Sequence, residues 1–257
     1  MGRIIAVANQ KGGVGKTTTV INLSACLAEK GKKILTIDID PQGNTTSGLG
    51  LDKNEIENTI YELLIGACDF EDCLQDEIIE NLSVLPSNVN LAGAEIELIG
   101  TEEREFILKS KIDKIRNEYD FIIIDCPPSL NVLTVNAMTC ADTVLVPIQC
   151  EYYALEGLSQ LIHTINLVKD RLNPDLEIEG VVFTMYDART NLSLQVVEDV
   201  KDNLKQTIYK TIIPRNVRLA ESPSHGLPIN IYDPKSAGAD GYRDLADEVI
   251  ERGDEIW

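Results

Sequence analysis

The stretch NQKGGVGKTTT, residues 9–19, lies between an apolar run at residues 3–9 and a helical pattern at residues 17–30. A strand-like run, a glycine-rich turn and a helix in this order are the setting of the phosphate-binding template G-x-x-x-x-G-K-[ST]. The stretch fits that template except at its first glycine, where Gln10 stands, and it adds a second lysine, Lys11. It therefore predicts a nucleotide-binding α/β fold with an unusual loop.

The residue types of this loop suit the binding of phosphate and of a metal ion. Glycines allow backbone N–H groups to crowd around phosphate oxygens, and the helix beginning near Lys16 directs its positive end to the same place. We expect Lys16 to reach the β- and γ-phosphates and Thr17 to offer its hydroxyl to Mg²⁺. The predicted nucleotide-binding residues of the loop are Lys11, Gly12, Gly13, Val14, Gly15, Lys16, Thr17 and Thr18.

Strand-like and helix-like segments alternate along the rest of the chain. Further strands are predicted at residues 32–40, 81–88, 119–129, 142–149, 178–185 and 208–214, and further helices at residues 156–170, 191–206 and 241–252. Continuous apolar strands separated by helices indicate a mostly parallel, twisted sheet with helices on both faces. We predict a single α/β domain of the P-loop NTPase fold over residues 1–257, with no helix-turn-helix domain ahead of the loop. Residues 44–118 have the least clear pattern.

Carboxylates follow two of the predicted strands at the sheet edge where ligands bind. Asp38 and Asp40 close the second strand, and alternation puts both side chains on one side of it. Pro41 then ends the strand, so Asp40 is expected at the rim, where it can orient a water molecule or cap a turn. Asp125 ends the run IIID, which is the position of a carboxylate that holds Mg²⁺ through water.

Composition limits the classes of protein that the chain can be. The 257 residues are 44% hydrophobic and 25% charged, an ordinary globular balance, with a net charge of −19. No apolar run reaches the ~18 residues of a membrane span, and no signal-peptide pattern is present. Six scattered cysteines without a C-x-x-C pattern predict reduced thiols in a cytoplasmic protein. Taken alone, the acidic charge argues against a nucleic acid partner.

The loop with its extra lysine resembles the deviant Walker A loop of the ParA/MinD family of P-loop ATPases. Residues 38–44, with the pattern D-x-D-P-Q-G-N, are similar to the switch I motif of that family. Asp125, followed by C-P-P-S, is similar to its switch II motif. Residues 149–161, 187–193 and 213–229 resemble the chromosome-partitioning ParA/Soj type within the family. The resemblance extends over essentially the whole chain.

The resemblance implies an ATPase that uses ATP and Mg²⁺ and forms a homodimer on ATP. In that family the extra lysine, here Lys11, crosses to the nucleotide of the partner subunit, and the aspartate at Asp40 is needed for hydrolysis. The expected catalytic residues are therefore Lys11, Lys16 and Asp40, and the expected metal-binding residues are Thr17 and Asp125. The dimer is expected to bind double-stranded DNA without sequence preference and to be reset by a ParB-like centromere-binding protein.

Further binding residues follow from the same resemblance. Pro214 and Asn216 correspond to a stretch beside the adenine ring, with Met185 near that pocket, and Arg189 and Arg218 correspond to a DNA-facing surface. A local arginine patch, doubled in a dimer, can hold DNA on an acidic protein because screening limits the reach of other charges to ~8–10 Å. We expect salt-sensitive binding by the ATP dimer, a cytoplasmic and nucleoid-associated location, and no membrane partner.

Other classes remain as alternatives. A MinD-like, membrane-associated positioning ATPase would need a basic amphipathic helix at the C-terminus, whereas residues 244–257 are acidic. A reductase of the nitrogenase iron-protein type would need cluster-binding cysteines, and a bacterial tyrosine kinase a tyrosine-rich tail; neither pattern is visible. A binding scaffold with an inactive site is disfavoured by the intact set of Lys16, Thr17, Asp40 and Asp125.

Overall fold

The computed structural model describes residues 1–151, 154–203 and 208–256. The strands are β1 (Arg3–Val7), β2 (Ile34–Asp38), β3 (Gln75–Ile79), β4 (Leu82–Leu85), β5 (Phe121–Asp125), β6 (Thr143–Gln149), β7 (Glu177–Tyr186) and β8 (Ile208–Pro214). The α-helices are α1 (Lys16–Glu29), α2 (Asn44–Gly48), α3 (Ile60–Ile65), α4 (Phe70–Cys73), α5 (Ala94–Glu97), α6 (Ile107–Ile112), α7 (Val132–Cys140), α8 (Ala154–Arg171), α9 (Asn191–Asn203), α10 (Val217–Glu221), α11 (Ile229–Tyr232) and α12 (Ala237–Ile256).

The strands of the described residues form one sheet in the order β3-β4-β2-β5-β1-β6-β7-β8. All neighbouring pairs are parallel except β3 and β4. This confirms the predicted mostly parallel, single-domain α/β fold. The antiparallel edge strand β3 was not predicted, because its sequence QDEII has partly exposed, charged positions instead of a continuous apolar run. The limits of 1–257 and the absence of a preceding domain stay predictions.

The pairing of β1 determines where the site forms. β1 lies between β5 and β6, and its last residue, Val7, is opposite Asp125 of β5 and Leu145 of β6. The last residue of β2, Asp38, is also opposite Asp125. The loop after β1 and the carboxylates of β2 and β5 therefore meet at one edge of the sheet.

Helices cover both faces of the sheet because successive side chains of each strand point to opposite sides and both sets are apolar. Ile4 and Ala6 of β1 belong to a buried cluster that includes residues of α7 and α8. Ile5 and Val7 belong to a second cluster with residues of α1 and α12. The central strand is thus fixed from both sides, and the loop that follows it starts from a rigid support.

Two helix limits need comment. α12 begins at Ala237 instead of the predicted residue 241, because the Ser236 hydroxyl accepts a hydrogen bond from the backbone N–H of Ala239 and caps the first turn. α9 begins at residue 191 as predicted. Its predicted end, Gln206, lies outside the described residues.

Candidate nucleotide-binding site

The loop between β1 and α1 has a backbone suited to surrounding phosphate. Gly13 and Gly15 have φ of 76° and 89°, in the left-handed region that favours glycine. A Cβ added at Gly12 or Gly13 would meet no atom within 4 Å, so this part of the backbone faces open space. Because α1 begins at Lys16, its free N–H groups and positive end are directed into the loop.

Two side chains outside the template hold this loop in place. Asn9 donates from Nδ2 to the Pro147 carbonyl at 2.8 Å and accepts from the backbone N–H of Lys11 at 3.0 Å. Thr184 donates from Oγ1 to the Val14 carbonyl at 2.8 Å. Neither Asn9 nor Thr184 was predicted as a site residue; the available signal is a short polar side chain near the carboxyl end of a buried strand.

Lys16 is a buried cation inside the loop. It is only 6% exposed, and its Nζ donates to the Lys11 carbonyl at 3.2 Å. Burial lowers the pKa of the Lys16 ammonium, although the nearby Asp125 and Asp40 carboxylates oppose that effect. It forms no salt bridge within the described part of the chain. A phosphate in the loop would supply the anion that this charge lacks.

Asp125 connects three parts of the site. It is fully buried at the end of β5, and its Oδ2 accepts hydrogen bonds from the hydroxyls of Thr17 at 2.8 Å and Thr45 at 2.7 Å. Its Oδ1 is buried and has no hydrogen-bond partner among the described residues. Thr45 was not predicted as a site residue, because it lies in the segment 44–118 whose pattern was unclear.

These oxygens fit a magnesium ion that is held partly by a nucleotide. Mg²⁺ prefers carboxylate and hydroxyl oxygens, keeps several water ligands and takes others from phosphates. Thr17 and Asp125 offer such oxygens, and Asp125 has one oxygen without a partner. No group of three or more His, Cys, Asp or Glu side chains that could hold a metal ion occurs among the described residues. The site is therefore suited to sharing a metal with phosphate.

Asp38 and Asp40 have different surroundings. Asp38 accepts hydrogen bonds at 2.8 Å from both the backbone N–H and the hydroxyl of Thr46, and Ser87 donates its N–H to that hydroxyl. Asp38 therefore anchors the start of α2. Strand β2 ends at Asp38 instead of the predicted residue 40, so Asp40 lies in the following turn. There it accepts from the N–H of Gln42 at 2.9 Å and is 8% exposed.

Lys11 is oriented differently from Lys16. Its Nζ donates to Glu151 Oε2 at 2.6 Å, and the two side chains are 38% and 47% exposed. Ion pairs with this exposure contribute little stability, because water and salt screen them. Lys11 is therefore available for another anion. Its predicted contact with the nucleotide of a second subunit stays a prediction.

A cavity of about 360 Å³ adjoins the loop. Its walls are mostly apolar, which suits a planar base. Met185 has φ 52°, a left-handed conformation that a non-glycine residue rarely adopts. The predicted residues Thr18, Met185, Pro214 and Asn216 all line this cavity. The full lining is Gly15, Thr18, Thr184, Met185, Ile213, Pro214, Arg215, Asn216, Val217, Leu219, Ala220 and Tyr242.

The two arginines predicted to face DNA are both paired with carboxylates. Arg189 donates to the two oxygens of Asp187 at 2.8 and 2.7 Å, and Arg218 lies 2.8 Å from Glu221 and 3.4 Å from Asp233. The arginine side chains are 87% and 54% exposed. These pairs reduce the local positive charge, and sequence spacing did not reveal them.

One edge of the sheet carries a glycine loop with a buried lysine, a carboxylate at the end of a strand and a cavity of the size of a nucleotide base. This combination defines a P-loop nucleoside triphosphatase. A family described as AAA domain matches residues 2–178. The sporulation initiation inhibitor protein Soj of Bacillus subtilis is 58% identical over 253 residues, which are 98% of this chain and 100% of that protein. The chromosome partitioning protein ParA of Myxococcus xanthus is 52% identical, over 98% of this chain and 89% of that protein. The chain belongs to the ParA/Soj family of chromosome-partitioning ATPases.

Solved structures share the whole fold. Cobyrinic acid a,c-diamide synthase from Mycobacterium smegmatis, with bound ADP and magnesium, has a TM-score of 0.87 and 40% identity, covering 99% of this chain and 96% of that chain. The septum site-determining protein MinD from Pyrococcus horikoshii, complexed with Mg-ADP, has a TM-score of 0.83 and 28% identity, covering 98% of each chain. These likenesses confirm the predicted P-loop ATPase fold. An adenine nucleotide with magnesium in both relatives agrees with the predicted cofactors.

The buried carboxylates predict a pH dependence of stability in the absence of magnesium. Burial, with repulsion from Asp38 added, raises the pKa of Asp125 to about 7, and burial raises the pKa of Asp38 to about 6. A carboxyl with a higher pKa in the folded chain binds more protons when folded, so its contribution to stability is lost as pH rises. We expect Asp125 to lower the free energy of unfolding from about pH 4, near the pKa of an unfolded aspartate, to about pH 7.

Urea denaturation in the presence of EDTA, repeated across this pH range, tests the expectation. Asp125→Asn should remove most of the decrease, because the amide does not titrate. The matched control is Asp244→Asn, which changes an exposed aspartate of α12. Equal pH profiles for the natural chain and Asp125→Asn would contradict the assignment.

Proposed function

We propose that the chain is an ATP-driven switch that dimerises with ATP, binds double-stranded DNA without sequence preference, and releases it after hydrolysis. A ParB-like centromere-binding partner would stimulate that hydrolysis. The main support is the contrast between the two lysines of one loop. Lys16 is 6% exposed and donates a hydrogen bond to its own loop, whereas the side chain of Lys11 is 38% exposed and forms a surface ion pair with Glu151.

Hydrolysis is proposed to depend on groups that are already positioned at the sheet edge. Lys16 and the N-terminus of α1 stabilise negative charge on the transferred phosphoryl group. Thr17 and Asp125 hold Mg²⁺, which neutralises phosphate charge when bound. Asp40, in the turn after β2, orients the attacking water. Since Asp38 is held by the backbone N–H and the hydroxyl of Thr46, and Asp125 is assigned to Mg²⁺, few groups can act as a base, and turnover without a partner is slow.

Dimerisation is proposed to use Lys11 in trans. The Lys11–Glu151 pair is exposed, so exchanging Glu151 for a phosphate of the other subunit costs little. The incoming ammonium then neutralises phosphate charge much as an arginine finger does. Since this contact needs a nucleotide with a free terminal phosphate, the dimer depends on ATP.

DNA binding is proposed to use Arg189 and Arg218 on the dimer. Each arginine is exposed enough for a phosphate to replace its carboxylate partners, and a guanidinium can bind phosphate in a bidentate geometry like that of Arg189 with Asp187. With a net charge of −19 the remaining surface repels DNA, so the binding is weak and sensitive to salt. The location that goes with this proposal is the cytoplasm, on the nucleoid.

The MinD-like alternative has less support. Membrane binding by a C-terminal helix needs basic residues on an amphipathic face, whereas α12 (Ala237–Ile256) carries seven acidic and two basic residues. No helix of the described residues has the length and apolarity needed to cross a bilayer. Identity is also higher to Soj, at 58%, than to the MinD structure, at 28%.

Asp40→Ala should separate binding from hydrolysis. We expect the variant to dimerise with ATP and stay on DNA, with phosphate release slower by about 100-fold or more, because the attacking water is no longer oriented. Sedimentation with ATP and a phosphate-release assay measure the two properties. Asp113→Ala, at an exposed residue directly after α6, is the matched control. Normal turnover in Asp40→Ala would exclude Asp40 from the reaction.

Arg189→Glu should remove DNA binding and leave ATP-dependent dimerisation intact, because Arg189 does not line the cavity beside the nucleotide loop. The matched control, Arg171→Glu, makes the same charge change at the exposed end of α8, near the opposite edge of the sheet. The two variants are compared by measuring how much of each is retained on random duplex DNA at the same salt concentration. Equal retention by the two variants would show that Arg189 is not part of the DNA surface.

A further inference from the structure

Two cysteine side chains face each other beside the short helix α4. Cys68 follows the end of α3, and Cys73 is the last residue of α4. Their Sγ atoms are 2.7 Å apart, and both thiols are free. We call these two residues the dithiol pair. A disulfide bond is about 2.05 Å long, so its formation here moves the two sulfur atoms closer by only about 0.7 Å.

Local hydrogen bonds hold the chain in the shape that brings the dithiol pair together. At the end of α3 the backbone N–H of Ala67 donates to the Glu62 carbonyl at 2.8 Å. The backbone N–H of Asp69 donates to Asp72 Oδ2 at 3.1 Å, within the segment that separates the two cysteines. The position of the pair is therefore set by the fold of residues 62–73.

The two thiols of the dithiol pair differ in their access to solvent. Cys73 is completely buried in the main core cluster, whereas Cys68 is partly exposed and packs against that cluster. Burial, with the contact of Cys68 and the negative charges of Glu62 and Asp72 added, raises the pKa of the Cys73 thiol. A reagent in solution therefore reaches Cys68 first, and Cys73 reacts only with a sulfur atom that Cys68 brings to it.

The other four thiols of the chain compete poorly for an oxidant. They are all buried and belong to Cys26, Cys126, Cys140 and Cys150. Burial raises the pKa of each of them, to about 12 for Cys26 and Cys140 and to about 11 for Cys150. Since the thiolate is the form that reacts, oxidation is expected at the dithiol pair only.

The dithiol pair lies in a strongly acidic part of the chain. Residues 54–103 contain thirteen aspartates and glutamates and no lysine, arginine or histidine. Three of these carboxylates, Asp69, Glu71 and Asp72, lie between the two cysteines and are exposed. Negative charge so close to Cys68 repels an anionic reagent and attracts a cationic one, because screening by salt leaves charges a reach of ~8–10 Å.

We propose that the dithiol pair is a reversible oxidation site, which reacts with small neutral or cationic disulfides and forms a disulfide bond within the chain. This reaction does not depend on the proposed ATP-driven switch. A disulfide across residues 68–73 closes a very short loop and stabilises the fold little, because the stabilisation grows with loop length. The bond is therefore a reversible modification and not a structural cross-link, as is usual for disulfides inside cells.

The reaction consists of two exchange steps with one oxidant, a disulfide R–S–S–R. The Cys68 thiol loses its proton and its thiolate attacks one sulfur atom of the oxidant, so a mixed disulfide between Cys68 and R–S forms and R–S⁻ leaves. The Cys73 thiol then loses its proton and attacks the Cys68 sulfur, which breaks the mixed disulfide and releases the second R–S⁻. The two protons convert the released thiolates to R–SH. The chain loses two electrons and the oxidant gains them.

Mass spectrometry of the full chain after treatment with cystamine, a small cationic disulfide, tests the site. We expect the natural chain to lose two of its six thiols, to contain a disulfide between Cys68 and Cys73, and to recover both thiols with dithiothreitol. Cys73→Ala should stop at the mixed disulfide on Cys68, because the second thiol is missing. Cys68→Ser should keep all its remaining thiols, because Cys73 is buried. Reaction of Cys68→Ser at the natural rate, or a disulfide between two copies of the chain, would overturn the proposal.

The preference for cationic disulfides is measured as the ratio of the reaction rates with cystamine and with oxidised glutathione, which is anionic. We expect Glu71→Lys to lower this ratio by about threefold or more, and about 1 M salt to lower it in the natural chain. The matched control Glu251→Lys makes the same charge change at an exposed residue of α12, which packs in the other buried cluster, and should keep the natural ratio. Equal ratios for Glu71→Lys and the natural chain would contradict the preference.

Discussion

The buried Asp125 carboxylate is the group on which the rest of the site depends. Removing a carboxylate from water is costly unless hydrogen bonds or a cation compensate it. Here Thr17 of α1 and Thr45 of α2 both donate to one oxygen, while the other has no partner in the described chain. Asp125 Oδ2 thus connects α1, α2 and the end of β5. A change in the charge beside Asp125 therefore affects the hydrogen bonds that hold all three elements. A nucleotide-dependent switch requires such a connection.

Charge is distributed unevenly in this acidic protein. Lys16 is buried next to carboxylates that favour its charged form, while Lys11, Arg189 and Arg218 are exposed and held by surface ion pairs. A buried cation is committed to one site, whereas exposed pairs exchange partners at a cost of about 1 kcal/mol or less. The proposed contacts with a second subunit and with DNA both use such exchangeable pairs. They also explain how a chain with net charge −19 can bind anions locally.

The sequence predicted the parts of the molecule that follow from local pattern. Buried parallel strands are continuous apolar runs, and the glycine loop has a fixed order, so β1, β5 and the loop with Lys16 and Thr17 could be placed directly. The acidic edge strand β3 and the contact of Thr45 with Asp125 depend on tertiary packing, which no spacing encodes. The carboxylate partners of Arg189 and Arg218 were missed for a different reason: Asp187 and Glu221 lie within three residues of their arginines, but local spacing does not show which surface charges pair.

The most direct measurement of the central claim is the retention of the purified chain on random duplex DNA with ATP, with ADP and without nucleotide, across a salt series. Retention only with ATP, weakening steeply as salt rises, is the predicted result, because the binding surface is a local cationic patch that forms on the ATP dimer. Absence of retention at low salt, while ATP hydrolysis or dimerisation persists, would contradict the proposed switch. The ATP-bound dimer would then act on a target other than DNA.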